Sequence, residues 1–181
     1  HAHRDHTAGL DDVRAYNFMQ AMDMPVYGTK DVLAQLKIEY AYAFAEVKYP
    51  GIPRLLLNEI SDRLFSINGV DITPLPVMHM KLPVSGFRIK NFSYITDANF
   101  IPERTFDLLQ GTEILVLNAL QLDPHISHFN LEQAIATVEK IQPKKAYFTH
   151  ISHKLDLHTI IERKLPQHIS LAYDGLQLSL N

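Results

Sequence analysis

The stretch His1-Ala2-His3-Arg4-Asp5-His6 decides how the rest of this sequence is read. It places three imidazoles and a carboxylate on six residues, and these are common nitrogen and oxygen ligands of divalent transition metals. Two histidines one residue apart can point the same way off an extended or loop segment. The Asp-His pair that follows faces a second position nearby, so one short loop could feed two adjacent ions. An affinity tag is the plain alternative, but tags are usually unbroken His runs, and this stretch continues into a helical pattern.

Composition bounds what the remainder can be. At 181 residues the sequence reads as one domain, 1–181, large enough for a sizeable core. It is 46% hydrophobic and 20% charged with a formal net charge of −3, ordinary for a globular protein. Its longest basic run is Lys144-Lys145, so a broad nucleic-acid surface is not expected. No apolar run approaches the ~18 residues a membrane-spanning helix needs. The absence of cysteine excludes disulfides and thiolate ligands. Ten histidines are the outlier, and eight fall in four short clusters at strand ends or in loops. His158 and His168 lie in a surface helix and the turn after it and take no role.

The spacing of apolar residues predicts a helix over 8–22, a short buried strand over 25–28, and a helix capped by Thr29 that runs to about Phe44. Pro50-Gly51-Ile52-Pro53 breaks the chain. Strands are expected at 55–60, 63–67 and 70–77, with Asn68-Gly69 as a hairpin turn between the last two. A second pair, 84–89 and 92–96, turns at Lys90-Asn91. Pro102 opens a short helix closed by Gly111. A buried strand at 113–117 precedes a helix capped by Asn130 and stopped by Pro143. A strand at 146–149, a helix near 156–164 and a last hairpin (169–173 with 176–180, turning at Asp174-Gly175) complete the order. Hairpins first and strand–helix alternation later predict a mixed, layered α/β domain.

Three more residues suit a metal: His79 after the strand that ends at Val77, Asp97 after the strand that ends at Thr96, and His150 after Thr149. Side chains at strand ends converge on one rim of a sheet, where a rigid scaffold holds ligands in place. Taken singly, a strand-terminal His is usually a surface residue and a strand-terminal Asp a cap. The set of His1, His3, Asp5, His6, His79, Asp97 and His150 outweighs those readings.

The opening hexapeptide resembles the HxHxDH signature of the metallo-β-lactamase-fold hydrolases, and the order of the later elements matches as well. Within that superfamily the sequence is most similar to the phosphoribosyl 1,2-cyclic phosphate phosphodiesterases of the carbon–phosphorus lyase pathway. The likeness is carried by Thr73–Leu82, Tyr94–Ala98, Ser127–Leu131, Phe148–His153 and Tyr173-Asp174-Gly175, and it runs over the whole length. The resemblance implies an αββα sandwich in which His1, His3 and His79 hold one ion. Asp5, His6 and His150 would hold another, with Asp97 bridging. The ions expected are two divalent cations, Zn²⁺ or Mn²⁺. A bridging anion offsets their repulsion, and water on such ions ionises near neutral pH and can attack phosphorus. Asp5 would also orient the nucleophile. His128 resembles the family's substrate-side histidine, placed to bind a phosphoryl oxygen or protonate the leaving alkoxide; its plain alternative is a helix-start residue facing solvent. His153 is equally a substrate or ligand-supporting residue or an ordinary buried histidine, and His125 a loop residue. Lys81 and Arg88 could contact phosphate, although charges after strands are usually just solvated. No glycine-rich phosphate loop is present, so no nucleotide cofactor is indicated.

Family members carry several strands ahead of the signature, whereas here it begins at residue 1. The expectation is a C-terminal portion of the sandwich lacking its N-terminal strands, with exposed apolar surface and strand edges. The function expected is hydrolysis of a small, cyclic phosphodiester by a cytoplasmic protein, with neither a membrane nor a nucleic-acid partner expected and a homodimer allowed. Ribonuclease Z-like tRNA processing, thioester or lactone hydrolysis, and a non-catalytic metal-binding module are the alternatives.

Overall fold

A computed structural model describes residues 1–47 and 49–180. The chain divides into two compact units, His1–Ser61 and Asp62–Asn181.

In the first unit a one-turn helix α1 (Arg4–Thr7) runs into a 3₁₀ helix (Ala8–Val13) and α2 (Arg14–Gln20). The helix expected over 8–22 therefore starts earlier, and its first part is wound more tightly. Strand β1 (Met24–Gly28) follows. Its burial alternates between half-buried and exposed residues up to the buried Gly28, where a buried strand is expected. Thr29 precedes α3 (Lys30–Glu39), but its side chain makes no cap hydrogen bond. The helix expected to reach Phe44 breaks at Tyr40, whose φ of −109° and ψ of 34° leave the helical region, and α4 (Ala41–Phe44) resumes beyond it. The Tyr40 hydroxyl donates to the Thr7 carbonyl at 2.6 Å, which ties the break to the end of α1. β2 (Leu55–Glu59) pairs in parallel with β1, from Met24↔Leu55 to Gly28↔Glu59. Leu33, Leu36, Tyr40 and Ala43 form the buried core of this unit.

The second unit contains β3 (Phe65–Ile67), β4 (Val70–His79), β5 (Leu82–Ile89), β6 (Phe92–Ile95), α5 (Glu103–Leu109), β7 (Ile114–Asn118), α6 (Leu131–Ile141), β8 (Lys145–Thr149), a 3₁₀ turn (His153–Leu155), α7 (His158–Glu162) and β9 (Ile169–Leu171). Its seven strands lie in sequence order in one sheet. β3 to β6 are antiparallel and β6 to β9 parallel. Asn68 and Gly69 both have positive φ, 50° and 79°, as a two-residue hairpin turn matched to strand twist requires. Asn130 accepts from Gln133 N while Gln133 Oε1 accepts from Asn130 N, a reciprocal cap that starts α6 where expected. Pro102 is the cap residue of α5 and not its first helical residue.

The expected C-terminal hairpin does not form. β9 pairs in parallel with β8, residues 176–180 form no strand, and Asp174-Gly175 is a turn closed by Leu176 N to Tyr173 O at 3.1 Å. The core follows from register. Ile95, Leu117, Phe148 and Leu171 make one cross-strand row, and Leu115, Ala146 and Ile169 make the next. Leu109 of α5, Ala134 and Val138 of α6 and Ile161 of α7 join the same cluster. Gly86 permits close approach of β5 and β6: a Cβ there would lie 2.7 Å from the Tyr94 carbonyl oxygen. Among the described residues no helix is long and apolar enough to cross a membrane.

Candidate metal centre

Strand direction builds the rim. β4 and β6 are both antiparallel to β5, and β7 and β8 run parallel to β6, so all four end at the same edge. That edge carries His79 at the end of β4, Asp97 two residues after β6, Asn118 at the end of β7 and His150 just after β8. After Asp97 the chain crosses to the end of β4, where Met78 N donates to Phe100 O and Asn99 N to Met78 O, each at 2.9 Å. Asn118 holds this crossing: its Oδ1 accepts from Ala98 N at 2.7 Å and its Nδ2 donates to Ala98 O at 2.9 Å.

His79 is 8% exposed, and its Nδ1 lies 2.9 Å from the carbonyl oxygen of Ser127. A carbonyl only accepts, so Nδ1 carries a proton, which in the neutral tautomer leaves the lone pair on Nε2. That is the arrangement a metal-ligating histidine needs. Asp97 is 2% exposed. Its Oδ1 accepts from Thr96 Oγ1 at 2.8 Å and meets His150 Nδ1 at 3.0 Å, and its Oδ2 lies 3.7 Å from His128 Nε2. His128 stacks on His150 with ring centroids 4.8 Å apart and stands edge-on to His79 at 4.7 Å. Its side chain is 12% exposed, so the solvent-facing alternative does not hold. Its Nε2 is buried without a hydrogen-bond partner. Ligand atoms of His79, Asp97 and His128 lie within 4.8 Å of one another. Buried nitrogen and carboxylate donors this close, one of them unsatisfied, fit a divalent cation.

Backbone strain sits at the same rim. His150 has φ 55°, in the left-handed region that non-glycine residues seldom occupy, and Met80, next to His79, has φ 57°. Asn99 Oδ1 accepts from Met80 N at 2.8 Å and steadies that turn.

In the first unit His3 caps α1, which makes Asp5 and His6 helical where the sequence suggested a loop. His1 Nε2 and His3 Nδ1 are 3.0 Å apart, the His1 and His6 ring centroids 4.3 Å, and His6 Nε2 lies 3.5 Å from Asp5 Oδ2. Thr7 Oγ1 donates to the His3 carbonyl at 3.2 Å. All four donors of the hexapeptide thus stand together in this unit.

Other residues fall differently. Arg88 donates to the carbonyls of Lys90, Leu108 and Gln110, so its guanidinium caps the C-terminus of α5 instead of meeting phosphate. Lys81 is exposed in the turn after β4, and His153 is exposed at the start of its 3₁₀ turn and not buried. His168 meets Glu139 at 3.4 Å on the surface. Sequence reasoning missed Asn118, Asn99, Ser127 and His125. His125 Nδ1 lies 3.2 Å from His128 Nδ1, and its pKa is lowered by desolvation and then by His128, Lys154 and His79.

Residues 1–151 match the family model described as a beta-lactamase superfamily domain. The chain belongs to the beta-lactamase superfamily. Its members are in general hydrolases, and the fold here is the metallo-β-lactamase fold. A crystal structure of a new diphosphatase from the PhnP family is 34% identical, with a TM-score of 0.91 over 100% of this chain and 69% of that one. The metallo-β-lactamase fold protein YhfI from Bacillus subtilis is 16% identical with a TM-score of 0.76, covering 97% of this chain and 73% of its own. Zn²⁺-bound PqqB from Methylobacterium extorquens is 19% identical with a TM-score of 0.71, over 97% of this chain and 70% of its own. A protein of Porphyromonas gingivalis (strain ATCC BAA-308 / W83) named octanoyltransferase is 34% identical over 179 residues, 98% of this chain. The chain spans about a third of that relative's length, 36%.

Proposed function

We propose that this superfamily member is a two-metal phosphodiesterase that hydrolyses a small, cyclic phosphate ester. The observation that carries the reading is the 34% identity, across the whole chain, with a diphosphatase of the PhnP family. The sequence resemblance drawn from the HxHxDH loop points the same way. In the proposal His1, His3 and His79 would hold one ion and Asp5, His6 and His150 the other, with Asp97 available to both. A bound pair of divalent ions would supply an acidified water and counter-charge for the phosphoryl oxygens. Asp5 would also accept a hydrogen bond from a water and orient it toward phosphorus. His128 Nε2 holds a phosphoryl oxygen or delivers a proton to the departing alkoxide oxygen. Its buried, unsatisfied Nε2 supports that role. Zn²⁺ and Mn²⁺ are the expected ions, and the proposed setting is cytoplasmic.

A second reading, hydrolysis of a diphosphate, is favoured by the same relative, since that protein is a diphosphatase. Octanoyl transfer is not carried over, because most of the protein bearing that name lies outside the match. The 16% identity to the short form of human tRNase Z speaks for fold alone.

The test is the purified chain with Mn²⁺ or Zn²⁺, assayed side by side on bis(p-nitrophenyl) phosphate, a five-membered cyclic phosphate, a diphosphate and a lactone. Asp97→Ala should lower phosphodiester turnover by at least about a thousandfold, roughly 4 kcal/mol of barrier. Normal turnover in that variant would overturn the reading. Metal bound with no ester cleaved would favour a non-catalytic module.

A further inference from the structure

His128 is held from behind by a pair of neighbours that the proposed ligand set does not include. Ser127 Oγ lies 3.0 Å from His128 Nδ1, His125 Nδ1 lies 3.2 Å from the same atom, and Ser127 Oγ and His125 Nδ1 are 3.3 Å apart. The protons in this triangle can be placed. The Ser127 backbone N–H donates to His125 Nδ1 at 3.4 Å, so His125 Nδ1 bears a lone pair. Two ring nitrogens at 3.2 Å with a lone pair on each would repel, so the proton between them sits on His128 Nδ1. The Ser127 hydroxyl oxygen takes a share of it.

Ser127 also acts on a second ring. Its carbonyl oxygen accepts from His79 Nδ1 at 2.9 Å. One residue thus keys two imidazoles, one through its backbone and one through its side chain. Both rings then carry hydrogen on Nδ1, and His128 turns its Nε2 toward Asp97.

We infer that Ser127 and His125 are positioning residues for the proposed phosphodiester hydrolysis, fixing the tautomer and aim of His128 by holding its Nδ1 proton. The role is the one a carboxylate plays behind the histidine of a hydrolytic triad, here filled by uncharged groups. The segment that bears the pair is fastened on both sides. Asn99 Nδ2 donates to Ile126 O at 3.0 Å, and Phe129 N donates to Ala98 O at 2.8 Å. A ring held at Nδ1 by two partners keeps Nε2 in place when that atom takes up or releases a proton to a substrate oxygen.

Because the inference rests on the proposed function, its test needs a readout that survives failure of that function. Long-range ¹H–¹⁵N spectra of the zinc-loaded chain, labelled at histidine, read each ring's tautomer directly. His79 and His128 should both be protonated at Nδ1. Ser127→Ala and His125→Asn should each move the His128 nitrogens and leave those of His79 unchanged, since the Ser127 carbonyl is untouched. In the assay both substitutions should lower kcat by roughly ten- to hundredfold with KM little altered. Ser127→Thr should restore most of the loss, because it returns the hydroxyl. A His128 protonated at Nε2 in the wild type, or nitrogens unmoved in both variants, would overturn the inference. A chain with the expected spectra and no turnover on any phosphate ester would overturn the proposed function and leave the positioning intact.

Discussion

The two compact units present the same kinds of donor by different means. In Asp62–Asn181 the donors hang from the ends of strands sunk in a buried cluster that includes Leu115, Leu117, Phe148 and Val138, each fully buried. In His1–Ser61 they lie on one helical turn (Asp5 and His6) and just ahead of it (His1 and His3), in a unit whose core has four buried hydrophobic residues. Phe18, Met19, Val47 and Tyr49 of that unit are 73%, 81%, 91% and 81% exposed. Each unit also uses a buried asparagine as a bracket between backbone segments. Asn118 clasps both backbone groups of Ala98. Asn17, 3% exposed, accepts from Arg54 N at 2.8 Å and donates to the carbonyls of Met22 and Arg54 at 3.0 Å. The same device is set in a deep core in one case and a shallow one in the other, so local stability should differ in step with apolar burial.

Hydrogen exchange should show the largest contrast. Amides of β7 and β8 should exchange only through global unfolding, and those of β1 and β2 about a hundredfold faster. Equal protection in both units would erase the comparison. Replacing the brackets sharpens it. Asn118→Ala leaves the buried Ala98 N–H without its partner, while the Ala98 carbonyl keeps Phe129 N, and should cost about 1–3 kcal/mol in urea unfolding. Asn17→Ala should instead appear mainly as faster exchange in β1 and β2, with a smaller shift of the global midpoint. The smallest effect concerns Tyr42, which donates to Asp11 and whose pKa is pushed up to about 12 by burial and by that carboxylate. The folded unit holds the phenol proton above the ordinary value near 10, so its stabilisation is complete below pH 10 and is lost as pH rises toward 12. In Tyr42→Phe the first unit should lose less stability over that interval, read by exchange or by circular dichroism.

Much of this was legible in the residues. The Asn68-Gly69 turn, the Asn130 cap and the strand-end positions of His79, Asp97 and His150 are local signals, set by backbone preference or by strand length, whereas the opening hexapeptide, read as a loop, is helical from Arg4. What escaped depends on contacts distant in sequence. Asp174-Gly175 signals a hairpin, yet Ile169–Leu171 finds in β8 a neighbour already part of the seven-stranded sheet, and that pairing prevails. The break at Tyr40 follows from its hydroxyl reaching Thr7, thirty-three residues away in sequence. Arg88 read as a free charge because the helix end it caps comes twenty residues later. Ser127 and His125 were visible only as polar residues of a loop, and the triangle they form with His128 exists only once that loop is pinned. An HxSH spacing is the one clue the sequence offers.

The left-handed backbone of His150 has an evolutionary corollary. A histidine at φ 55° costs the fold on the order of 1 kcal/mol relative to glycine, which adopts that geometry freely. Selection for heat tolerance alone would therefore drift this position toward glycine, while selection for chemistry would hold the imidazole. The two pressures pull one codon in opposite directions, and lineages that have given up the reaction should betray themselves there first.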